Sequence, residues 1–414
     1  MARTLIERHL RPTVVEALSE ARAVCLLGAR QVGKSTLARE IAAHEHPAIY
    51  LTLDDDGTRR SALEDPTGFV AAISGPAVID EIQRAPDLML AIKARLDTRD
   101  DRGQFLLTGS ANVITLPTIA DALPGRIDYI NLWPFSQGEL AGDPERFVDL
   151  LFAGMAPRIE GADVGLSAYA ERIVTGGFPD AQDRGAGSRS RFFGSYVASI
   201  LGRDVGDVAR VRDIADVGRL LSVVAARSAN LMSARGMAAE LGLNHKTTQA
   251  HTKILEDLFL VWRMNPWYAN IGSRPVKTPK LHITDTGLLA HLVNANAEGI
   301  VHNAALAGPI VETFVAMELV RQCAWSRHEP SLFHYRDSQQ REVDIVLEQR
   351  SGEIAGVEVK SGASVKSRDF AGLRHLRDKL GTRFKSGVVL YSGERTLPFG
   401  DRMTAVPLSG LWQS

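Results

Sequence analysis

In the first 140 residues, short apolar runs alternate with stretches whose apolar residues recur at helical spacing. Strands that alternate with helices in this way are typical of a parallel α/β sheet. The apolar runs, each of which predicts a strand, are Ala23–Leu27, Ile49–Leu53, Ala77–Ile79, Phe105–Leu107 and Ile127–Leu132. We therefore expect residues 1–140 to form an α/β domain.

The rest of the chain divides into a mainly helical part, 141–280, and a second α/β part, 281–414. In the helical part, Arg191–Ile200 predicts an amphipathic helix and the glycine-rich Asp183–Ser190 predicts a loop. In the last part, the predicted helices are Pro309–Gln322 and Arg368–Leu380, and the predicted strands are Leu332–Tyr335, Glu342–Leu347, Ala355–Lys360 and Gly387–Tyr391. This pattern predicts an α/β multidomain protein with three domains.

Composition narrows the class of protein. The chain has 414 residues, of which 45% are apolar and 23% charged, so hydrophobic cores are expected and a disordered or fibrous protein is excluded. The net charge of −1 argues against a uniformly basic surface. Cys25 and Cys323 lie far apart in the sequence, and their spacing is not one that metal ligands use. With no apolar run long enough for a signal peptide or a membrane helix, we expect a cytoplasmic protein without membrane contact.

The sequence Gly-Ala-Arg-Gln-Val-Gly-Lys-Ser at residues 28–35 follows the first predicted strand directly and precedes a helix predicted from Thr36. Its backbone N–H groups and the helix N-terminus favour a phosphate, Lys34 would bridge the β- and γ-phosphates, and Ser35 would bind Mg²⁺. The alternative is a glycine-rich turn with an incidental Lys-Ser pair, which the strand–loop–helix context disfavours. The candidate nucleotide-binding residues are Gly28, Ala29, Arg30, Gln31, Val32, Gly33, Lys34, Ser35 and Thr36.

Two acids end the predicted strand that begins at Ala77. Asp80 would hold Mg²⁺ through its water shell, and Glu81 would polarise the attacking water. A solvated pair of acids at a strand end is the alternative. With the phosphate-binding loop, the pair predicts ATP hydrolysis rather than binding alone.

Three further residues are candidates for catalytic roles. Thr108 and Ser110 follow an apolar strand and could sense the γ-phosphate. Arg126 immediately precedes another predicted strand and could reach the nucleotide of a neighbouring subunit. For Arg126, an ordinary surface arginine that caps the preceding turn is an equally good interpretation.

These motifs, with the segments 106–112, 123–126 and 133–139, resemble the AAA-like ATPase domain of the AAA_14 type that prokaryotes join to a C-terminal DUF4143 domain. Phe135 stands where this family is expected to have Leu. The resemblance covers essentially the whole chain. It implies a P-loop fold with an additional strand and a catalytic glutamate, ATP and Mg²⁺ as cofactors, ATPase activity and a homo-oligomer.

Residues 231–256 have the layout of two helices joined at Gly242, and the unit at about 231–270 resembles a winged helix. The opening of the second helix of a helix-turn-helix faces the major groove of DNA. The candidate DNA contacts there are Asn244, His245, Lys246, Thr247 and Gln249. Between residues 235 and 280 seven Lys or Arg stand against three Asp or Glu, as expected of a phosphate-facing surface. Winged helices also serve as packing modules, and that alternative stays open.

Alternate side chains of a strand share a face, so Glu358 and Lys360 point the same way. If Asp344 lies on the adjacent strand, the three side chains can converge on one metal-sized space. The two carboxylates would then bind Mg²⁺ or Mn²⁺, and Lys360 would orient or activate water for phosphodiester cleavage. Their spacing looks like the PD-(D/E)xK nuclease core of restriction-endonuclease-like domains, with Glu312 matching the helix acid. Arg374 and Arg377 on a basic helix could contact DNA. The alternative is a nuclease-like fold whose ion pairs are only structural.

The sequence thus predicts a P-loop ATPase domain at 1–140, a helical region at 141–280 and a nuclease-like domain at 281–414. The leading hypothesis is that ATP turnover drives a conformational change on DNA, with metal-dependent cleavage by the last domain. The alternative is an ATP-dependent switch that binds a protein partner and whose last domain is inactive.

Overall fold

The structure is a computed structural model that describes residues 5–110, 125–205, 214–268 and 278–414. The chain forms two compact units. The first comprises Met1–Pro134 with Asp257–Phe259, and the second comprises Phe135–Glu256 with Leu260–Ser414.

A five-stranded sheet of the order β2-β3-β4-β1-β5 lies at the centre of the first unit, and every pairing in it is parallel. Its strands are β1 (Ala23–Leu27), β2 (Ile49–Thr52), β3 (Ala77–Asp80), β4 (Phe105–Gly109) and β5 (Ile127–Asn131). β1, β3 and β4 are buried along their whole length, as their unbroken apolar runs require. β4 lies between β1 and β3, so the ends of these three strands meet at one edge.

The helices described in the first unit bury one apolar face each, and short polar caps begin several of them. They are α1 (Arg11–Glu20), α2 (Lys34–His44), α3 (Asp56–Glu64), α4 (Pro66–Ala72) and α5 (Leu88–Thr98). Asp55 and Asp65 accept hydrogen bonds from the first turns of α3 and α4. α2 presents Leu37 and Ile41 to the core.

The second unit is mainly helical over the described parts of residues 137–256 and over residues 286–323. Its described helices are α6 (Gln137–Ala141), α7 (Phe147–Phe152), α8 (Ser167–Thr175), α9 (Ala186–Ser199), α10 (Ile214–Ala226), α11 (Ala234–Leu241), α12 (His245–Asp257), α13 (Thr286–Leu292), α14 (Ala297–His302), α15 (Ala304–Cys323) and α16 (Ala371–Leu380). A π-helical turn, Ile200–Asp204, follows α9.

A mixed eight-stranded sheet runs through the second unit in the order β12-β13-β11-β10-β9-β8-β6-β7. Its strands are β6 (Val261–Pro266), β7 (Lys280–Ile283), β8 (Ser331–Arg336), β9 (Glu342–Glu348), β10 (Ile354–Lys360), β11 (Phe384–Tyr391), β12 (Leu397–Pro398) and β13 (Met403–Pro407). β9 pairs with β8 and β10 in antiparallel fashion, whereas β10, β11 and β13 are parallel. The hairpin β6–β7, which follows α12, is part of this same sheet.

The predicted strands and the two predicted helices of the last part are present, each within a few residues of its expected bounds. The predicted loop at Asp183–Ser190 is wrong in its second half, because α9 already begins at Ala186. Packing outweighs the glycine-rich composition here: Arg189 donates to Thr175 Oγ1 at 2.6 Å, and the ring of Tyr196 lies 4.9 Å from that of Phe178. The part of the chain that contains the mixed sheet and its helices is of the α/β class. Its classification as a restriction-endonuclease-like domain stays a prediction.

Candidate functional site

The phosphate-binding loop connects β1 to α2 at the carboxyl edge of the first sheet. Gly28 is required by a close approach, since a Cβ atom there would lie 2.2 Å from the carbonyl oxygen of Leu132. Gly33 has a φ of 98°, in the left-handed region that glycine tolerates, and it precedes the first residue of α2. The loop therefore curls tightly, and α2 begins at Lys34, two residues before the predicted start.

Lys34 is buried, and its ammonium donates hydrogen bonds to two carbonyl oxygens of the loop, Gly28 at 2.9 Å and Ala29 at 2.7 Å. These bonds hold the charge inside the curl of the loop. Thr36 and Gln31 are exposed, Arg30 and Ser35 are half-buried, and Val32 is buried. The structure thus brings the predicted loop residues into one continuous segment around Lys34.

Asp80, at the end of β3, joins the ends of neighbouring strands. One carboxylate oxygen, Oδ1, accepts hydrogen bonds from Ser35 Oγ at 2.8 Å and from Thr108 Oγ1 at 2.5 Å. The other oxygen accepts a longer bond, of 3.4 Å, from Thr52 Oγ1 at the end of β2. Asp80 is only 3% exposed, so hydroxyl groups rather than bulk water surround its charge.

Glu81 follows Asp80 with a φ of 61°, a left-handed conformation that costs a non-glycine residue about 1–3 kcal/mol. Its backbone N–H donates to Thr108 Oγ1 at 3.1 Å, which fixes this conformation. Its carboxylate accepts from Ser110 Oγ at 3.3 Å and from the amide of Gln83. Non-glycine residues held in such conformations cluster at functional sites.

Arg126, one residue before β5, forms an ion pair with Asp97 of α5 within its own chain. The segments 106–112 and 123–126, which carried part of the family resemblance, extend in part beyond the described residues. Of the candidate catalytic residues in these segments, Thr108 and Ser110 lie beside Asp80 and Glu81. Arg126 instead pairs with Asp97.

Two residues of this site escaped the sequence analysis. The amide of Gln83, which donates to the Glu81 carboxylate, also donates to Ser110 Oγ at 2.8 Å. Gln83 therefore links Glu81 to Ser110. Arg8 donates to the Val32 carbonyl at 2.8 Å and to the Trp133 carbonyl at 2.6 Å, which ties the phosphate-binding loop to the segment after β5. Gln83 could have been found from its place two residues after the acids. No motif in the sequence around Arg8 indicates these contacts.

The predicted DNA-contacting residues lie at the start of α12 in the second unit. Asn244 caps this helix, because its Oδ1 accepts from the Thr247 backbone N–H at 2.8 Å. The exposed side of α12 carries Lys246, Gln249 and Lys253 at helical spacing, with His245 also exposed. The opposite side of α12 packs inward, through Thr248, His251, Thr252 and Leu255. Of the candidate contacts, His245, Lys246 and Gln249 are thus exposed, Thr247 is half-buried, and the Asn244 side chain serves the cap.

Of the acids predicted for a nuclease site, Glu312 and Asp344 come together around a lysine, with Glu342 as a third acid that was not predicted, whereas Glu358 pairs with Lys360. Lys280 of β7 is 2% exposed, and its ammonium lies 2.7 Å from Glu312 Oε1, 3.1 Å from Glu342 Oε1 and 3.7 Å from Asp344 Oδ1. Asp344 Oδ2 accepts from the backbone N–H of Val359 at 2.9 Å. We call Lys280, Glu312, Glu342 and Asp344 the lysine-centred cluster.

Beside this cluster, Lys360 donates to Glu358 Oε1 at 2.8 Å, and the other oxygen of Glu358 accepts from the Asp344 backbone N–H at 3.4 Å. Burial, and then the Asp344 charge, raises the pKa of Glu358 to about 8 against the pull of Lys360. Burial, and then Asp344, likewise raises the pKa of Glu312 to about 8. Both carboxyl groups therefore carry their negative charge only at a cost.

Lys280 is the charged base of the cluster. Burial lowers the pKa of its ammonium, but the surrounding carboxylates outweigh burial and hold the pKa above its ordinary value. Two buried histidines nearby behave in the opposite way: burial, and then the charge of Lys280, lowers the pKa of His282 to about 3 and that of His334 to about 4. The positive charge therefore resides on Lys280, and both imidazoles are neutral at pH 7.

Arg374 and Arg377 on α16 are half-buried and make intramolecular contacts. Arg374 donates to the Ser367 carbonyl at 2.7 Å, and Arg377 donates to the Asp401 carbonyl at 3.2 Å. These contacts hold α16 against neighbouring segments of the second unit.

Three protein families match successive parts of the chain. Residues 20–141 match an AAA domain (AAA_14), residues 166–299 match a domain of unknown function (DUF8612), and residues 307–411 match another domain of unknown function (DUF4143). The first match spans the sheet and the site around Lys34 and Asp80. Together, the parallel sheet and these matches support an AAA-like P-loop ATPase domain joined to a DUF4143 domain.

Two curated relatives are the uncharacterized proteins Rv2008c of Mycobacterium tuberculosis and Mb2031c of Mycobacterium bovis. Each is 28% identical to this chain over 395 residues, which cover 94% of this chain and 81% of the relative.

Among solved structures, the RuvB Holliday junction branch migration motor of Thermotoga maritima is 18% identical, with a TM-score of 0.30, over 63% of this chain and 90% of RuvB. A STAND signal transduction ATPase with a tetratricopeptide repeat sensor from Pyrococcus horikoshii is 12% identical, with a TM-score of 0.22, over 77% of this chain and 48% of that one. Because these scores are low, the ATPase assignment depends on the sheet, the loop and the family match.

Among the described residues, no helix combines the length and apolarity needed to cross a lipid bilayer.

Proposed function

We propose that this protein hydrolyses ATP at the site formed by the phosphate-binding loop, Asp80 and Glu81. The observation that carries the proposal is the convergence of Ser35, Asp80 and Thr108 through hydrogen bonds of 2.8 and 2.5 Å beside the buried ammonium of Lys34. The backbone N–H groups of the loop and the Lys34 ammonium are the groups that would bind a phosphate. The oxygen atoms of Ser35 and Asp80 are the groups that would bind a metal ion.

The residues present fit Mg²⁺. The Ser35 hydroxyl and the Asp80 carboxylate are hard oxygen ligands, and Mg²⁺ is usually held by one or two protein oxygens together with phosphate and water. Ser35 would bind the ion directly and Asp80 through its water shell. When bound, the ion supplies charge neutralisation for the β- and γ-phosphates.

Glu81 is the candidate general base for the attacking water. Its strained backbone aims the carboxylate toward Ser110 and Gln83, which can hold it until a nucleotide is in place. Thr108 acts as a positioning residue, because one hydroxyl contacts both the Asp80 carboxylate and the Glu81 backbone. Hydrolysis thus depends on a hydrogen-bonded set that crosses from β3 to β4.

We further propose that ATP turnover changes how the second unit holds a macromolecule, and we favour DNA as that partner. The supporting observation is the exposed row Lys246, Gln249 and Lys253 on the second helix of a helix pair, with Arg235 exposed on the first helix. Such a row matches the helix that enters the major groove in helix-turn-helix proteins. A nucleotide-dependent complex with a protein, formed without DNA, is the alternative outcome of the same experiments.

A homo-oligomer remains part of this proposal on the family resemblance alone, and a cytoplasmic location remains the expectation from the sequence. Phosphodiester cleavage by the last domain is not favoured, because the ammonium of Lys280 lies against Glu312 and Asp344, two of the three acids predicted for the cleavage site.

Two substitutions separate binding from hydrolysis. Lys34→Ala is expected to abolish nucleotide affinity, because the loop loses its buried charge, whereas Glu81→Gln should keep affinity and reduce kcat by about 10²–10⁴-fold. Affinity is measured with a fluorescent ATP analogue at millimolar Mg²⁺, and turnover by phosphate release. Glu64→Gln, the same change at an exposed helix end, serves as the control. Folded wild-type protein that binds no adenine nucleotide would contradict the proposal.

Thr108→Val keeps the shape of the side chain and removes the hydroxyl that contacts Asp80 and Glu81. We expect kcat to fall by between about 10- and 100-fold, because the base loses its position, with nucleotide affinity nearly unchanged. Thr108→Ser should restore most of the rate. A Thr108→Val enzyme of wild-type rate shows that this hydroxyl does not position Glu81.

Arg126→Ala tests a role in trans. If Arg126 stabilises the transition state in a neighbouring subunit, turnover falls by about 10³-fold or more while affinity is retained, and mixing with Glu81→Gln subunits restores activity. Asp97→Asn removes only the partner of the ion pair and is the matched control. Equal losses in both variants, or a strictly monomeric active enzyme, would leave Arg126 with a structural role only.

Lys246→Ala and Lys253→Ala test the DNA surface. Each is expected to weaken duplex binding at every sequence tested and to reduce the slope of log affinity against log salt by about 1, because one phosphate contact is lost. Arg350→Ala removes the same charge from a side chain that is 89% exposed elsewhere in the second unit. Binding by fluorescence anisotropy that is unaltered in both lysine variants argues for a protein partner instead.

A further inference from the structure

The lysine-centred cluster contains more acid than its neighbourhood requires for packing. Its three carboxylates come from two elements: Glu312 from α15, and Glu342 and Asp344 from β9. Glu342 and Asp344 lie on one face of β9 because they are two residues apart. All three carboxylates approach the ammonium of Lys280, which β7 supplies from the edge of the sheet.

The distances show which group holds the centre. An oxygen of each carboxylate lies between 2.7 and 3.7 Å from Lys280 Nζ, so the ammonium occupies the point on which the acids converge. Within the described ranges, no group of three or more acidic, histidine or cysteine side chains has an arrangement that could hold a metal ion. A divalent ion placed there would face the ammonium charge of Lys280 at the point where the carboxylates converge.

We propose that Lys280 is a built-in cation that replaces a divalent metal ion among Glu312, Glu342 and Asp344. The lysine balances part of the carboxylate charge and ties α15 and β9 to β7. This cluster is therefore organised without a metal ion, and Glu312, Glu342 and Asp344 do not perform metal-dependent cleavage. This inference is independent of ATP turnover, since it concerns only residues of the second unit.

The position of Lys360 makes it the matched control. Lys360 is a second lysine next to the same acids, but its side chain is 36% exposed and its ion pair is with Glu358. Removal of Lys360 leaves the Lys280 ammonium at the centre, whereas removal of Lys280 leaves three buried or half-buried carboxylates without their shared cation. A difference between the two variants therefore reports on position and not on net charge.

The experiment is a Mn²⁺ titration of the full chain without nucleotide, followed by the electron paramagnetic resonance signal of free Mn²⁺. Wild type and Asp344→Asn should bind Mn²⁺ equally, because the cluster contributes no site. Lys280→Met should gain one ion per chain, with an affinity at least tenfold above wild type, and Asp344→Asn in that background should remove it. Mn²⁺ should raise the Tm of Lys280→Met but not that of wild type or Lys360→Met. Asp80→Asn in each background separates any weak binding at the nucleotide site.

Wild-type binding that is lost in Asp344→Asn overturns the proposal, because the cluster would then be a metal site despite Lys280. A folded Lys280→Met protein that gains no ion also overturns it. If Lys280→Met fails to fold, the comparison of wild type with Asp344→Asn still decides: equal titrations support a metal-free cluster, and unequal ones contradict it.

Discussion

The hydrogen bonds to Asp80 are the constraint on which the nucleotide site depends. One carboxylate oxygen joins Ser35, at the start of α2, to Thr108, near the end of β4. These groups meet only because β4 is inserted between β1 and β3 in a sheet whose strands are all parallel. The order of strands thus converts three separate sequence segments into one set of oxygen atoms, and a buried carboxylate without those hydroxyls would be strongly disfavoured.

The same set explains why Glu81 can hold a strained backbone. A left-handed conformation persists only where its surroundings fix it, and here the Thr108 hydroxyl accepts the Glu81 N–H while donating to Asp80. Asp80, the candidate metal ligand, and Glu81, the candidate base, are thereby coupled through one side chain on a neighbouring strand.

Much of this arrangement could be predicted from the sequence because its signals are local. The buried strands of the first unit are unbroken apolar runs, and the loop at residues 28–35 carries its chemistry in consecutive residues. Arg8 and Lys280 could not be found in this way, because their partners lie up to 125 residues away in the chain. Helix α9 was partly missed for a related reason: its first turn is stabilised by contacts with Thr175 rather than by its own composition.

The two acidic centres of the chain show how the partner of a carboxylate decides its chemistry. Asp80 accepts hydrogen bonds from hydroxyl groups, which are neutral and are themselves oxygen ligands of the kind that Mg²⁺ prefers. Asp344 and Glu312 instead lie next to the buried ammonium of Lys280. Burial also raises the pKa of Glu312, so additional negative charge is unfavourable there. Acidic residues of the same type thus have different surroundings at the two sites. The spacing of acids in the sequence predicts that they converge, but it does not predict the cation on which they converge.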